Sequence, residues 1–387
     1  MLQFQEAEHI ALLRQTLERF IEREMPREAA REWDRMNHFP RAVHDKLAAL
    51  GMMGLTIDEE YGGTGRDITA TVTVIEQLCA RSVSVGGAYI QSACYAGLNL
   101  SELASDAQKA ALLPRVAAEG LILAYGISEP DVGADVASVR TTATRTEDTL
   151  VVNGNKRFCS GAAICDYIYT LVRTGPTDQR HKNLTLLLIP PNAPGVTLLP
   201  QETMGLRGVG TYDVHFNNVE ISANQIVGGP SGFNAGWPML AGPGLDIEKL
   251  EISAMALGIA RAAVEDAWAY SQERFQFGKP ICSIQSIRHM LADVKTRLEA
   301  CRLMTYRAAW LIDQRVVATV ETSMAKLFVC DTAREIVLTC QQIMGAYGYV
   351  AGYDMERYVR DILILPILGG SSAIQKNNIA NRLHLPR

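Results

Sequence analysis

Apolar residues recur at three- and four-residue spacing from residue 5 to about 118 and again from Gly232 onward, and the rhythm breaks between Leu121 and about Val227. A chain written this way is expected to fold as helices, then strands, then helices, because only an amphipathic helix needs a repeat of about 3.6 residues. Ile10, Leu13, Leu17 and Ile21, then Val43, Leu47 and Leu50, then Leu112, Leu113 and Val116 mark the first helical part. In the middle, short β-branched or aliphatic runs (LILAY, TLVVNG, YIYTLV, LTLLLIP, GVTLL, YDVHFNNV) alternate with turn residues, the pattern of a β domain. The expected division is a helical domain over 1–120, a β-barrel or sandwich domain over 121–231 and a helical domain over 232–387. This makes the fold class α+β, mostly α. No Pro/Gly/Ser linker separates the parts, so they are expected to pack together.

Several function classes conflict with the letters. Lys and Arg number 37 against 42 Asp and Glu, a formal charge of −5, which disfavours binding to a phosphate backbone. The eight cysteines (Cys79, Cys94, Cys159, Cys165, Cys282, Cys301, Cys330, Cys340) include no CxxC, and the seven histidines form no HExxH. Reduced thiols, a cytoplasmic location and no protein-held metal are expected. No apolar run approaches the ~18 residues of a membrane span, and the N-terminus reads as an acidic helix, not a signal peptide. GxGxxG after a strand, GxxxxGK[ST] and GxSxG are missing, against a Rossmann site, a P-loop and an α/β-hydrolase.

Two segments of the β part have chemical potential. AYGISEPDVGAD, Ala124 to Asp135, leaves a strand for a Gly- and Pro-punctuated loop whose amides and Ser128 hydroxyl can bind a polar ring; by itself it is also an ordinary turn. NGNKRFCSG, Asn153 to Gly161, adds an aromatic at Phe158 and a hydroxyl at Ser160. Further on, RFQFGKP reads as a helix end, with Gly278 as left-handed cap and Pro280 as stop.

Taken in order, YGISEPDVGAD, GNKRFCSG, GLRGVGTYDVHFNNVEI, ERFQFGKPICSIQ, QIMGAYGY and RDILILPILGGSSAIQ resemble the acyl-CoA dehydrogenase family along essentially the whole chain. That resemblance implies a C-terminal four-helix bundle and FAD as cofactor. It places Tyr125, Ile127 and Ser128 along the flavin ring, Phe158 where the family often has a Trp against it, and Ser160 near flavin N5. Arg274, Phe277 and Gln285 match residues that reach the FAD of a neighbouring subunit, and Gln342, Gly345 and Ala346 match other pyrophosphate contacts. A site shared in this way implies an oligomer, a homotetramer built as a dimer of dimers. Ser371, with Gly370 and Ser372, opens the helix AIQKNNIANRL, whose N-terminus can hold cofactor groups or simply be capped.

The implied reaction takes an α-proton from an acyl thioester while a β-hydride passes to flavin N5, giving the trans-2-enoyl thioester. Many members carry the base just before a Gly-Thr near the C-terminus, but LPILGGSSA has Gly369 there, which has no side chain to accept a proton. Independently of the family, advancing ~100° per residue from Ile247 along GLDIEKLEISAMALGIARAA puts Glu248 and Glu251 within a wide apolar arc, with Lys249 on the other side. A carboxylate on such a face has its charged form disfavoured, which suits a base working near neutrality. The resemblance selects Glu248, since isovaleryl-CoA and long-chain dehydrogenases carry their base in a pattern similar to GLDIEKL. Glu251 has no assigned role, and pairing with a cation, lining the acyl pocket and facing water all stay open. By the same resemblance the Gly369 backbone N–H polarises the thioester carbonyl, an oxyanion-hole role that survives loss of the side chain.

Two departures bear on the substrate. Ala134 stands where many members have a Ser that contacts the pantetheine arm, and Lys249 replaces an Arg common on the substrate side, losing a planar bidentate donor. The expected activity is FAD-dependent α,β-dehydrogenation of an acyl-CoA, with electrons passed to an electron-transferring flavoprotein. The alternatives are a dehydrogenase of carrier-protein-bound acyl or aminoacyl thioesters, an enoyl-thioester reductase on the same scaffold, or a catalytically silent flavin-binding subunit. Gly86, Gly87, Ala88, Ser92 and Ala93 predict either room for a bulky acyl group or close helix packing.

Overall fold

The structure, a computed structural model, describes residues 6–241 and 243–385. The outermost residues of the expected first and third domains, 1–5 and 386–387, lie outside the described residues. Helices come first: α1 (Glu8–Glu24), α2 (Arg27–Arg35), α3 (Arg41–Ala49), α4 (Ile68–Arg81), α5 (Val83–Tyr89), α6 (Asn99–Leu103) and α7 (Asp106–Glu119). Between α5 and α6 the chain runs on as a π-helix, Ile90–Leu98. Such widened turns occur most often beside functional sites.

The strands are β1 (Leu123–Gly126), β2 (Thr142–Thr146), β3 (Thr149–Ser160), β4 (Tyr167–Arg173), β5 (Leu184–Ile189), β6 (Val196–Gln201) and β7 (Thr211–Ser222). They form one sheet in the order β1-β4-β2-β3-β7-β6, with β5 paired to β4. β1 runs parallel to β4, while β3 and β7 form a long antiparallel pair with two register shifts. β2 has no counterpart among the apolar runs of the sequence. Its residues TATRT are mostly exposed, and the strand is held by its ladder to β3 and not by an apolar face.

Helices return with α8 (Gly236–Leu240), α9 (Pro243–Glu273), α10 (Gln285–Asp313), α11 (Thr319–Met344), α12 (Met355–Ile362) and α13 (Ser372–Arg382). α9 packs against α4, α10, α11 and α12, so it is apolar nearly all round, as a helix enclosed by others must be. One core joins Leu17, Val72, Ile75 and Leu78 of the first helical part to Leu250, Leu257, Val329 and Val337 of the last. A second lies within the sheet, and a third, with Leu113, Leu123 and Leu186, closes the sheet onto α7.

One detail differs from the sequence reading. α9 stops at Glu273, and Phe275–Gln276 pairs with Lys279–Pro280 in a short hairpin. Phe277 and Gly278, at φ 53° and 73°, form its two-residue turn with both residues left-handed. Gly278 is therefore a hairpin glycine and not a helix cap. Of the small residues between α4 and α6, Gly86 reflects close packing: a β-carbon there would stand 2.2 Å from Cys79 Sγ. Ala88, Ser92 and Ala93 are fully enclosed, whereas a β-carbon on Gly87 would meet nothing within 4 Å.

Candidate functional site

β1 and β3 end side by side and carry the two motifs of the β part. Glu129 joins them: its buried carboxylate accepts from Lys156 Nζ at 2.8 Å and from the Arg140 and Thr141 amides. Lys156 also donates to the Ile127 carbonyl at 3.1 Å. A buried Lys–Glu pair with further hydrogen bonds on both partners fixes geometry, and here it fixes the loop bearing Ile127 and Ser128 against β3.

On that platform Tyr125 is half-buried, and Tyr95 from the π-helix stacks on it with ring centroids 3.8 Å apart and planes 8° apart. Asn99 Nδ2 donates to the Tyr125 hydroxyl at 2.6 Å. Phe158 is 63% exposed and adopts φ 61°. Ser160 Oγ lies 3.1 Å from Thr211 Oγ1, and its carbonyl accepts from Gln91 at 2.7 Å. An aromatic ring kept in solvent by a left-handed backbone, beside a hydroxyl pair and loop amides, fits a flat polar aromatic cofactor laid over the strand ends.

The first turns of α9 approach from the other side. A small cavity of about 10 Å³, room for roughly one water, is lined by Asn99, Leu103, Tyr125, Tyr169, Met239 and Glu248 among others. Glu248 is half-buried and lines this cavity. Burial pushes its pKa up to about 7, against the pull of Lys326 and Lys249, which favour the charged form. A β-carbon on Gly369 would stand 3.6 Å from Glu248 Oε1 and 2.1 Å from Ile252 Cδ1.

The segment bearing Gly369 is held by Lys326, whose fully buried Nζ donates to the carbonyls of Leu365 at 3.0 Å and Gly370 at 2.9 Å. Gln375 Nε2 also donates to Gly370 O at 2.9 Å. No group among the described residues accepts a hydrogen bond from the Gly369 N–H. Ser371 is the N-cap of α13, accepting from the Ile374 amide at 3.4 Å.

Lys249 is buried on the far side of α9, where it pairs with Asp246 at 2.8 Å. Asp246 in turn accepts from Thr319 and Thr322 of α11. Ala134 is exposed in the loop after β1. The remaining expected residues lie on an outer face. Arg274 sits over the Tyr347 ring at 5.3 Å, which brings the hairpin to the Gly345–Gly348 turn beside Gln342 and Ala346. Phe277 is 90% exposed, and Gln285 is exposed at the start of α10.

Three family models match in chain order: the acyl-CoA dehydrogenase N-terminal domain over 7–120, the middle domain over 124–219 and the C-terminal domain over 234–384. The chain belongs to the acyl-CoA dehydrogenase family. It is 34% identical to a 3-(aryl)acrylate reductase of Clostridium sporogenes over 96% of this chain and 97% of that one. It is 33% identical to an acyl-CoA dehydrogenase of Bacillus subtilis over 95% and 98%. Among solved structures, the prolyl acyl carrier protein oxidase AnaB superposes with a TM-score of 0.92 at 26% identity, covering 98% and 100%. The protein is an oxidoreductase of this flavoprotein family, and FAD is its cofactor. Among the described residues no helix is long and apolar enough to cross a membrane.

Tyr95, Asn99, Thr211 and Lys326 were not singled out from the sequence. Only Lys326 left a signal there: it shares the apolar face of α11 with Thr322, Val329, Cys330 and Ala333, an unusual place for a lysine.

Proposed function

We propose that this acyl-CoA dehydrogenase family member introduces an α,β double bond into an acyl thioester, with Glu248 taking the α-proton. The observation that carries the reading is the approach of the Glu248 carboxylate to Gly369: a base of nearly neutral pKa stands where a side chain at 369 would begin. With its pKa near the working pH, Glu248 is available as a base and still strong enough to accept a carbon-bound proton. The Gly369 N–H would donate to the thioester carbonyl, where negative charge develops as the α-proton leaves, and Lys326 holds the flanking carbonyls of Leu365 and Gly370. Tyr125, Ile127, Ser128, Phe158 and Ser160 hold and tune the flavin ring. Bound FAD supplies the acceptor for the β-hydride.

We assign the leading substrate class to CoA esters. A cavity of about 500 Å³ is lined by Arg140, Arg173 and Arg180 among others. Arg140 and Arg180 pair with Asp131 and Asp135, Asp178 also lines the cavity, and the buried Nη1 of Arg173 has no hydrogen-bond partner among the described residues. Such a cluster suits a phosphate. A carrier-protein thioester is the second reading. It is favoured by Ala134, which offers the pantetheine arm no hydroxyl, and by Lys249, whose ammonium is occupied by Asp246. The same pocket serves for enoyl reduction if the electron donor is strong enough. Electron-transferring flavoprotein is the proposed redox partner. A homotetramer is the proposed assembly, with Arg274, Phe277, Gln285, Gln342, Gly345, Ala346 and Ser371 toward FAD groups.

The test is anaerobic bleaching of the bound flavin by matched acyl-CoA and acyl-carrier thioesters. Bleaching by CoA esters supports the leading reading. Bleaching by carrier thioesters alone supports the second, and bleaching by neither overturns both.

A further inference from the structure

Glu251 is 3% exposed, and its Oε2 is fully enclosed with no hydrogen-bond partner among the described residues. A buried oxygen left this way costs free energy unless something else satisfies it. Glu251 lies three residues after Glu248 on the same face of α9, the spacing at which helical side chains are neighbours. Tyr95 and Tyr125 both feel the charges of Glu248 and Glu251, and Cys94 of the π-helix lies close without satisfying Oε2.

Tyr89 donates to the Met52 carbonyl at 3.2 Å, and no hydroxyl among the described residues, those of Tyr95 and Tyr125 included, donates to Oε2. Burial and then the Glu248 charge hold the Glu251 carboxyl well above the usual carboxylate range. In the carboxylate, and in the acid with its proton on Oε1, Oε2 is an acceptor, and none of the described residues donates to it.

We propose that Glu251 is a specificity-determining residue: it selects acyl groups that carry an N–H or O–H donor beyond the reacting carbons and disfavours their hydrocarbon counterparts. A site built around a buried polar group discriminates strongly against an analogue lacking the partner, because the protein oxygen then stays unpaired. This inference rests on the thioester reading given above.

The test compares two CoA esters of one carbon skeleton, a hydrocarbon acyl group and its counterpart in which a ring methylene is replaced by N–H or a ring hydrogen by hydroxyl. Each is measured by flavin bleaching and by calorimetric binding, on the wild-type holoenzyme, Glu251→Leu and Glu251→Gln. Wild type is expected to favour the donor-bearing ester by on the order of a hundredfold, the upper range for one unpaired buried oxygen. Glu251→Gln, which keeps an acceptor oxygen, retains that preference, and Glu251→Leu abolishes or reverses it while still binding FAD. An unchanged preference in Glu251→Leu, or no preference in wild type, overturns the proposal. If no ester bleaches the flavin, the thioester-oxidation reading falls. Calorimetry then decides separately for Glu251, with equal binding of both esters overturning it.

Discussion

A β-carbon on Gly369 would stand 3.6 Å from Oε1 of Glu248. Two positions about 120 residues apart in the sequence thus converge on one point, and only one of them has a side chain to place there. The same built atom would lie 2.1 Å from Ile252 Cδ1, at φ +60°, so moving the carboxylate back to position 369 meets both a steric and a backbone obstacle. Gly369→Ala is expected to cost about 1–3 kcal/mol. Adding Ile252→Ala should recover the steric part. Chemical denaturation of the single and double variants checks this, and the two substitutions should be non-additive.

The acid limb of activity should follow Glu248. A base must be deprotonated to act, so with its pKa at about 7, kcat/KM should fall tenfold per unit as pH drops below that value. A pH profile in the free-enzyme regime measures it directly. A limb near pH 4.5, the ordinary value for a glutamate, would mean that the carboxylate is solvated in solution.

Lys326 should matter twice. Lys326→Met leaves the buried carbonyls of Leu365 and Gly370 without this donor, at about 1–3 kcal/mol each where nothing replaces it. It also removes a positive charge that favours ionised Glu248, so the acid limb should move to higher pH. Loss of stability with an unmoved limb would confine Lys326 to a structural role.

Glu251 should leave a signature in stability. Its native pKa is raised by burial and by Glu248, so the folded state holds this proton more tightly than the unfolded state does. The contribution is fully present below about pH 4.5 and is lost as pH rises through the folded value, at up to ~1.4 kcal/mol per pH unit. Glu251→Gln should therefore gain on wild type as pH rises. Urea denaturation at several pH values measures the difference.

Much of this was legible in the sequence because it is local. The helix–strand–helix order follows from periodicity, and Glu248 and Glu251 could be marked because a carboxylate on an apolar arc stands out within one helix. β2 was missed because TATRT buries little, and Gly278 was misread because a hairpin turn and a helix cap both call for a left-handed glycine. Tyr95, Asn99 and Thr211 gave no signal. Their roles depend on rings and hydroxyls brought together from the π-helix, β1, β3 and β7, contacts that no window of sequence contains. Lys249 was legible as facing away from Glu248, but its partner Asp246 belongs to the packing of α9 on α11.

The most direct test of the central claim is the single-turnover rate of flavin bleaching in Glu248→Gln against wild type, with the best thioester found. Gln keeps the size of the side chain and removes its basicity, so FAD content and absorbance should be unchanged while bleaching falls at least a hundredfold, the lower end for a lost general base. Bleaching by Glu248→Gln at the wild-type rate would contradict the account and place the base elsewhere.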